Sequence, residues 1–171
     1  MAAAGGVVLC ALLAAACVSD LRTRRIPNLL VLITAVTGVI FSAVTKSFAT
    51  GLTQAGAGLL TGLAIWIPFY ALRMLGAGDV KLFAAAATFL GARTAVDAAV
   101  YTALYGGALA LLYMVLHSGL KSTAIRLGSA VREPSLLQNP ATTSNRRRMP
   151  YAFAIAAGVV TVVLLPGYTI L

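Results

Sequence analysis

Acidic residues are scarce in this chain: four stand among 171 residues, and charged residues of both signs together make up 10%. Soluble globular domains carry about a quarter charged residues, so the composition excludes that class and points to an integral membrane protein. Histidine occurs once, as His117. A single histidine makes neither a metal site nor a catalytic triad, and it reads as an interfacial residue. The two cysteines, Cys10 and Cys17, lie in one apolar run and form no Cys-x-x-Cys pair. That spacing gives no support to a zinc or thioredoxin-like site, and both thiols are expected to pack as small buried hydrophobes. Alternating strands of about 10 residues, the signature of a membrane β-barrel, are missing. So are an internal repeat, a low-complexity tract and a second, soluble domain. The start of the chain lacks the basic residues of a cleaved secretory signal, and without them Ala14-Ala15-Ala16-Cys17 is not read as a lipoprotein cleavage site.

What the chain has in abundance is apolar residues, 60% of the total. They gather into six blocks, most of about 20 residues, the length that crosses a hydrocarbon core of roughly 30 Å. The expected architecture is all-α: a polytopic six-transmembrane-helix bundle forming a single domain over residues 1–171. Helices are expected over 2–19, 28–45, 51–72, 79–91, 94–116 and 150–165. The fourth is short, about 18 Å at 1.5 Å per residue. With Gly91 at one interface, Asp79 would lie on the order of 10 Å below the other, in a water-accessible cleft. Gly51, Ala55, Gly58 and Gly62 form a small-residue stripe that lets helices approach closely. Trp66, Tyr70 and Arg73 read as an interfacial belt.

The net charge of +9 would suit a nucleic acid, but its placement argues for membrane topology. Putting Asp20 and Asp79 on the cytoplasmic side brings there all thirteen basic residues except Lys46 and Arg93. That asymmetry places both termini outside, and no nucleic-acid partner is expected. Residues 118–149 then form a cytoplasmic loop. Its first part sets Leu120, Ala124, Leu127 and Val131 on one face of a surface-lying amphipathic helix, and Arg146-Arg147-Arg148 anchor the sixth helix.

Two of the scarce acids define the candidate site. A charged side chain at bilayer depth costs roughly 2.5 to 3.5 kcal/mol on insertion scales, so such residues tend to be paired, water-facing and functional. Asp79 closes Gly76-Ala77-Gly78-Asp79, whose glycines are expected to adopt backbone conformations that other residues resist and to leave room for a substrate backbone. Asp20 opens a basic segment ending in Ile26-Pro27-Asn28, with the proline suited to starting a helix. Taken alone, Asp20 balances the neighbouring arginines. Paired with Asp79 on the same side, it makes a dyad that shares one proton, one carboxylate acting as base on water and the other as acid towards a carbonyl. Asp97 lies on the opposite side and is assigned to its helix dipole. Lys81 is expected to steady the turn or balance its charge rather than to react.

These residues resemble the type IV prepilin peptidases, membrane aspartic proteases named for Gly-x-Gly-Asp. Gly76 to Leu82 looks like their Gly-x-Gly-Asp-x-Lys-Leu motif. Asp20 followed six residues later by Ile26-Pro27-Asn28 looks like their other one, and Met149-Pro150-Tyr151 to Gly158 is similar to the start of their last helix. The resemblance implies Asp20 and Asp79 as the catalytic pair, with Gly76, Gly78, Lys81, Pro27 and Asn28 shaping the site and no metal or cofactor. It implies a bacterial inner-membrane enzyme that removes the basic leader of prepilins or pseudopilins on the cytoplasmic side. The larger bifunctional members carry a cytoplasmic domain with paired cysteines and also methylate the product. This chain has neither that domain nor a glycine-rich cofactor loop, so cleavage without methylation is expected. The compact form is similar to the short peptidases of tight-adherence (Flp-type) pilus systems, TadV and CpaA.

Two other readings compete. Membrane aspartates also serve proton- or ion-coupled transporters, yet here both lie towards one face with nothing acidic deeper along a path. A non-catalytic pilus assembly factor would keep the fold without activity. Asp20 reads as surface-level and Asp79 as deeper, so substrate binding or helix movement is expected to bring them together.

Overall fold

In the computed structural model, residues 3–72, 74–117 and 151–165 are described. They form six α-helices: α1 (Ala3–Thr23), α2 (Asn28–Thr45), α3 (Phe48–Ala71), α4 (Ala77–Leu90), α5 (Ala92–His117) and α6 (Ala152–Leu164). No strand occurs among the described residues. The expected cytoplasmic helix and loop, the arginines at 146–148 and Arg73 lie outside them. The protein is an all-helical membrane protein. Residues 4–23, 28–45, 48–71 and 92–112 are long and apolar enough to cross a bilayer, whereas α4 and α6 are shorter. The shortness of α4 matches expectation; α6 is three residues shorter than expected, with 13 residues.

The chain divides into two compact units, residues 1–106 with 150–171, and residues 107–149. Of the second, residues 107–117 are described, as the end of α5. In the first, α4 is the central element. Every residue from Leu82 to Leu90 is buried, as befits a helix apolar all round and enclosed by others. It packs chiefly against α3 and α2, and also against α6 and α1.

Small residues make that closeness possible. On α3, a Cβ added at Gly58 would overlap the Ala87 carbonyl, and one at Gly62 would sit 3.0 Å from the Ala84 Cα, so both face the alanine run of α4. Gly51 lies against Ser42 and Ala43 of α2, and Gly38 of α2 against Thr88 and Phe89 of α4. The small-residue stripe thus does what its spacing predicted, bringing helix backbones into contact where lipid offers no hydrophobic drive. A hydrogen bond from the Ser42 hydroxyl to the Thr88 carbonyl, 3.0 Å long and buried, joins α2 to α4.

The far end of α4 is stopped by Gly91, whose φ of 80° belongs to the left-handed region that favours glycine. Its N–H reaches the Ala87 carbonyl at 3.0 Å, and its own carbonyl already accepts from Ala95 of α5 at 3.0 Å. Gln54 covers this junction, donating to the Leu90 carbonyl at 3.4 Å and accepting from Lys46. Trp66 departs from its expected place in an interfacial belt. It is 4% exposed and packed edge-on against Phe83 of α4, because α3 turns this face towards the central helix. Tyr70 is exposed, as a belt residue would be.

Candidate active site

Asp20 was expected to open a surface turn after α1. The helix instead runs one turn further, to Thr23, and carries Asp20 within its last turn. The reason lies in how the helix ends. Arg24 takes a φ of 51°, its N–H donates to the Asp20 carbonyl at 2.8 Å, and the Ser19 and Thr23 hydroxyls donate to the Arg25 carbonyl at 3.2 and 3.0 Å. A left-handed residue is a common helix stop, although holding a residue with a Cβ there costs roughly 1 to 2 kcal/mol. The extra turn swings Asp20 inward to 8% exposure, while Arg22, Arg24 and Arg25 stay exposed. Asp20 is therefore not surface-level; it is the more buried of the two aspartates, Asp79 being half-buried.

Asp79 is the third residue of α4, not the end of an irregular turn. Gly76 caps the helix with φ −78° and ψ 148°, and its N–H donates to Asp79 Oδ2 at 3.2 Å. An acid at this position answering the cap's N–H is one half of a capping box, and it sits at the positive end of the helix dipole. The two glycines do not adopt the unusual backbone conformations expected of them. Neither has a positive φ, since Gly91 alone does among the described glycines. A Cβ at Gly76 would lie 2.9 Å from Asp79 Oδ2 and require the carboxylate to shift. Gly78 lies against Ile26, to whose Cβ an added Cβ would be 3.4 Å. The Gly-x-Gly-Asp segment and the Ile-Pro-Asn segment are thus in direct contact.

Pro27 caps α2 rather than occupying its first helical position, and its carbonyl accepts from Leu30 and Val31 at 3.1 and 3.3 Å. Pro27, Asn28 and Lys81 are all exposed.

Both aspartates act on the start of α6. The Asp20 carboxylate accepts a hydrogen bond from the backbone N–H of Ala152, the first residue of α6, whose N–H has no acceptor within its own helix. The charge of Asp79 acts on the neighbouring residue, Tyr151. Two acids from distant parts of the chain therefore both act on the start of α6. Asp20 Oδ2 is buried and has no hydrogen-bond partner among the described residues. An acceptor left so costs roughly 1 to 3 kcal/mol, a cost that a bound water or a shared proton removes.

Sequence reasoning did not single out Tyr151 or Trp66 as part of this site. The Tyr151 ring stands edge-on to Trp66 at 6.1 Å and 74°, and its hydroxyl rests where Gly106 of α5 leaves space. The one signal available was the likeness of 149–158 to a last-helix motif, which does not say what the tyrosine faces. Asp97, assigned to its helix dipole, is the sixth residue of α5 and fully buried.

The fold defines a class, that of helical membrane proteins, here with two acids, Asp20 and Asp79, that both act on the start of one helix. Within it, residues 7–115 match the type IV leader peptidase family. That span covers more than half of the chain, including both aspartates, and the chain belongs to this family of proteases. No curated protein and no solved structure matches it.

Proposed function

We propose that this protein is an aspartic endopeptidase in which Asp20 and Asp79 together activate water to cut the basic leader from prepilins or pseudopilins at the cytoplasmic face of the bacterial inner membrane. The observation that carries the reading is that both acids act on the start of α6, Asp20 through a hydrogen bond from the Ala152 N–H and Asp79 through its charge on Tyr151. Each carboxylate also takes a backbone N–H, from Ala152 and from Gly76, which fixes one side of it and aims the rest.

Hydrolysis then follows from two acids sharing a proton. The ionised carboxylate takes a proton from water as the oxygen attacks the scissile carbonyl carbon. The protonated one gives its proton to the carbonyl oxygen, forming a neutral tetrahedral diol. Collapse of that intermediate breaks the C–N bond, with a proton delivered to the leaving nitrogen. The exposed Arg22, Arg24, Arg25 and Lys81 fit the cytoplasmic side by the positive-inside rule. The whole chain, 1–171, is taken to work as one peptidase of the short TadV and CpaA kind, cleaving without methylating.

The test is co-expression with a prepilin bearing a basic leader ahead of an apolar helix, with leader removal followed by gel shift. Wild type is expected to shorten the prepilin and Asp79→Asn to leave it intact. A prepilin shortened equally by Asp79→Asn would defeat the reading.

A further inference from the structure

The start of α6 donates a hydrogen bond to Asp20 and lies within the field of Asp79, and a helix start holds its place only if something fixes it. Tyr151 is the fixing point. It is the residue on which α6 is capped, and two helices besides α6 meet it. Trp66 of α3 stands edge-on to its ring and Gly106 of α5 makes room for it, while the charge of Asp79 on α4 acts on it. A Cβ at Gly106 would lie 2.5 Å from the Tyr151 hydroxyl and 2.7 and 2.8 Å from ring carbons Cε2 and Cζ, with no other group nearer. Trp66 is itself clamped, edge-on to Phe83 at 5.6 Å and tilted on Phe69 at 5.4 Å. Its Nε1 is buried with no hydrogen-bond partner among the described residues, so packing alone orients it.

We propose that Tyr151 is a positioning residue for the aspartate pair, its ring wedged between Trp66 and Gly106 so that the adjoining Ala152 N–H is aimed at Asp20, within reach of the Asp79 charge. The inference rests on the protease reading above. The ring shape does the holding, so phenylalanine serves nearly as well as tyrosine and a ringless side chain does not. Gly106, outside the acid pair, acts on the chemistry only by way of Tyr151.

The experiment measures kcat and KM of the purified full-length protein in detergent on a purified prepilin, for wild type, Asp79→Asn, Tyr151→Phe, Tyr151→Ala, Gly106→Ala and the Gly106→Ala/Tyr151→Ala pair. Emission from Trp66, the sole tryptophan, reports its contact with the 151 ring in the same samples. Misplacing reacting groups by about an ångström costs on the order of a hundredfold. Tyr151→Ala is therefore expected to lower kcat at least about tenfold with KM little changed, and Tyr151→Phe to restore it to within about threefold. Gly106→Ala is expected to lower kcat and shift the Trp66 emission in the wild-type background. It should do neither in the Tyr151→Ala background, since coupled sites are non-additive. If Tyr151→Ala does not accumulate, Tyr151→Leu, which fills the space without a ring, replaces it. The inference is overturned if the ringless variant keeps wild-type kcat, or if Gly106→Ala costs the same in both backgrounds. Cleavage by Asp79→Asn, or none by wild type, removes the protease reading and the inference with it; wild-type cleavage with an inert Asp79→Asn leaves the reading standing whichever way Tyr151 falls.

Discussion

The Asp20 carboxylate, on the last turn of α1, accepts a hydrogen bond from the backbone N–H of Ala152 on the first turn of α6. A carboxylate near a helix N-terminus meets an unsatisfied N–H and the positive end of a dipole, a combination worth up to about 2 kcal/mol where partly buried. The contact joins the first described helix to the last and turns a membrane acid into a structural cap as well as a candidate catalyst. Asp20→Ala is thus expected to lower thermal stability as well as abolish cleavage, whereas Asp20→Asn, which keeps an acceptor oxygen, is expected to lose cleavage with a smaller fall in melting temperature. Thermal unfolding in detergent, run beside the cleavage assay, separates the two effects.

A Cβ added at Gly76 would meet only the Asp79 carboxylate, 2.9 Å from Oδ2. The backbone itself, with φ −78°, accepts any residue. Gly76→Ala is expected to fold and to reach the membrane at near-normal levels while losing cleavage about tenfold or more, since the carboxylate must shift. Kinetics on the purified variant check this; normal kcat in Gly76→Ala would show that Asp79 tolerates the displacement.

Gly56 and Gly58 on α3 give a paired stability test. A Cβ at Gly56 meets nothing within 4 Å, whereas one at Gly58 would overlap the Ala87 carbonyl of the central helix. Gly56→Ala is expected to be neutral or stabilising by up to about 1 kcal/mol through helix propensity. Gly58→Ala is expected to destabilise by about 1 to 3 kcal/mol through overpacking. Melting temperatures of the two variants should move in opposite directions or differ clearly.

At the end of α4, Gly91→Ala places a Cβ on a residue with φ 80° and drives it into Gln54, 2.7 Å away at its nearest atoms. The strain alone is about 1 to 2 kcal/mol. Lower thermal stability is expected, with cleavage by the folded fraction preserved, because this junction is at the opposite end of α4 from Asp79. Activity per folded molecule is the quantity to compare.

Much of this was legible in the sequence. Apolar runs and the lone Gly91 stop marked α2, α4 and α5 to within about two residues, and the Gly51 to Gly62 stripe named its own packing face. The scarcity of acids drew attention to Asp20 and Asp79. What local pattern did not carry was tertiary. The extension of α1 to Thr23 depends on hydroxyl bonds to the Arg25 carbonyl, which no propensity encodes. What a Cβ at Gly76 would meet is a neighbouring carboxylate rather than a strained backbone angle. Tyr151 and Trp66 meet only because α3 and α6 both lie against α4; in the sequence one looked like a belt residue and the other like part of a helix start.

The central claim is that Asp20 and Asp79 act as one unit. The most direct measurement is the cleavage rate of a purified prepilin by wild type, Asp20→Asn, Asp79→Asn and the double variant, each shown to be folded by its Trp66 emission. Groups that act together are non-additive, so each single substitution is expected to reduce kcat on the order of a thousandfold or more and the double to lose nothing further. Substantial cleavage by either folded single variant, or losses that multiply in the double, would contradict the account.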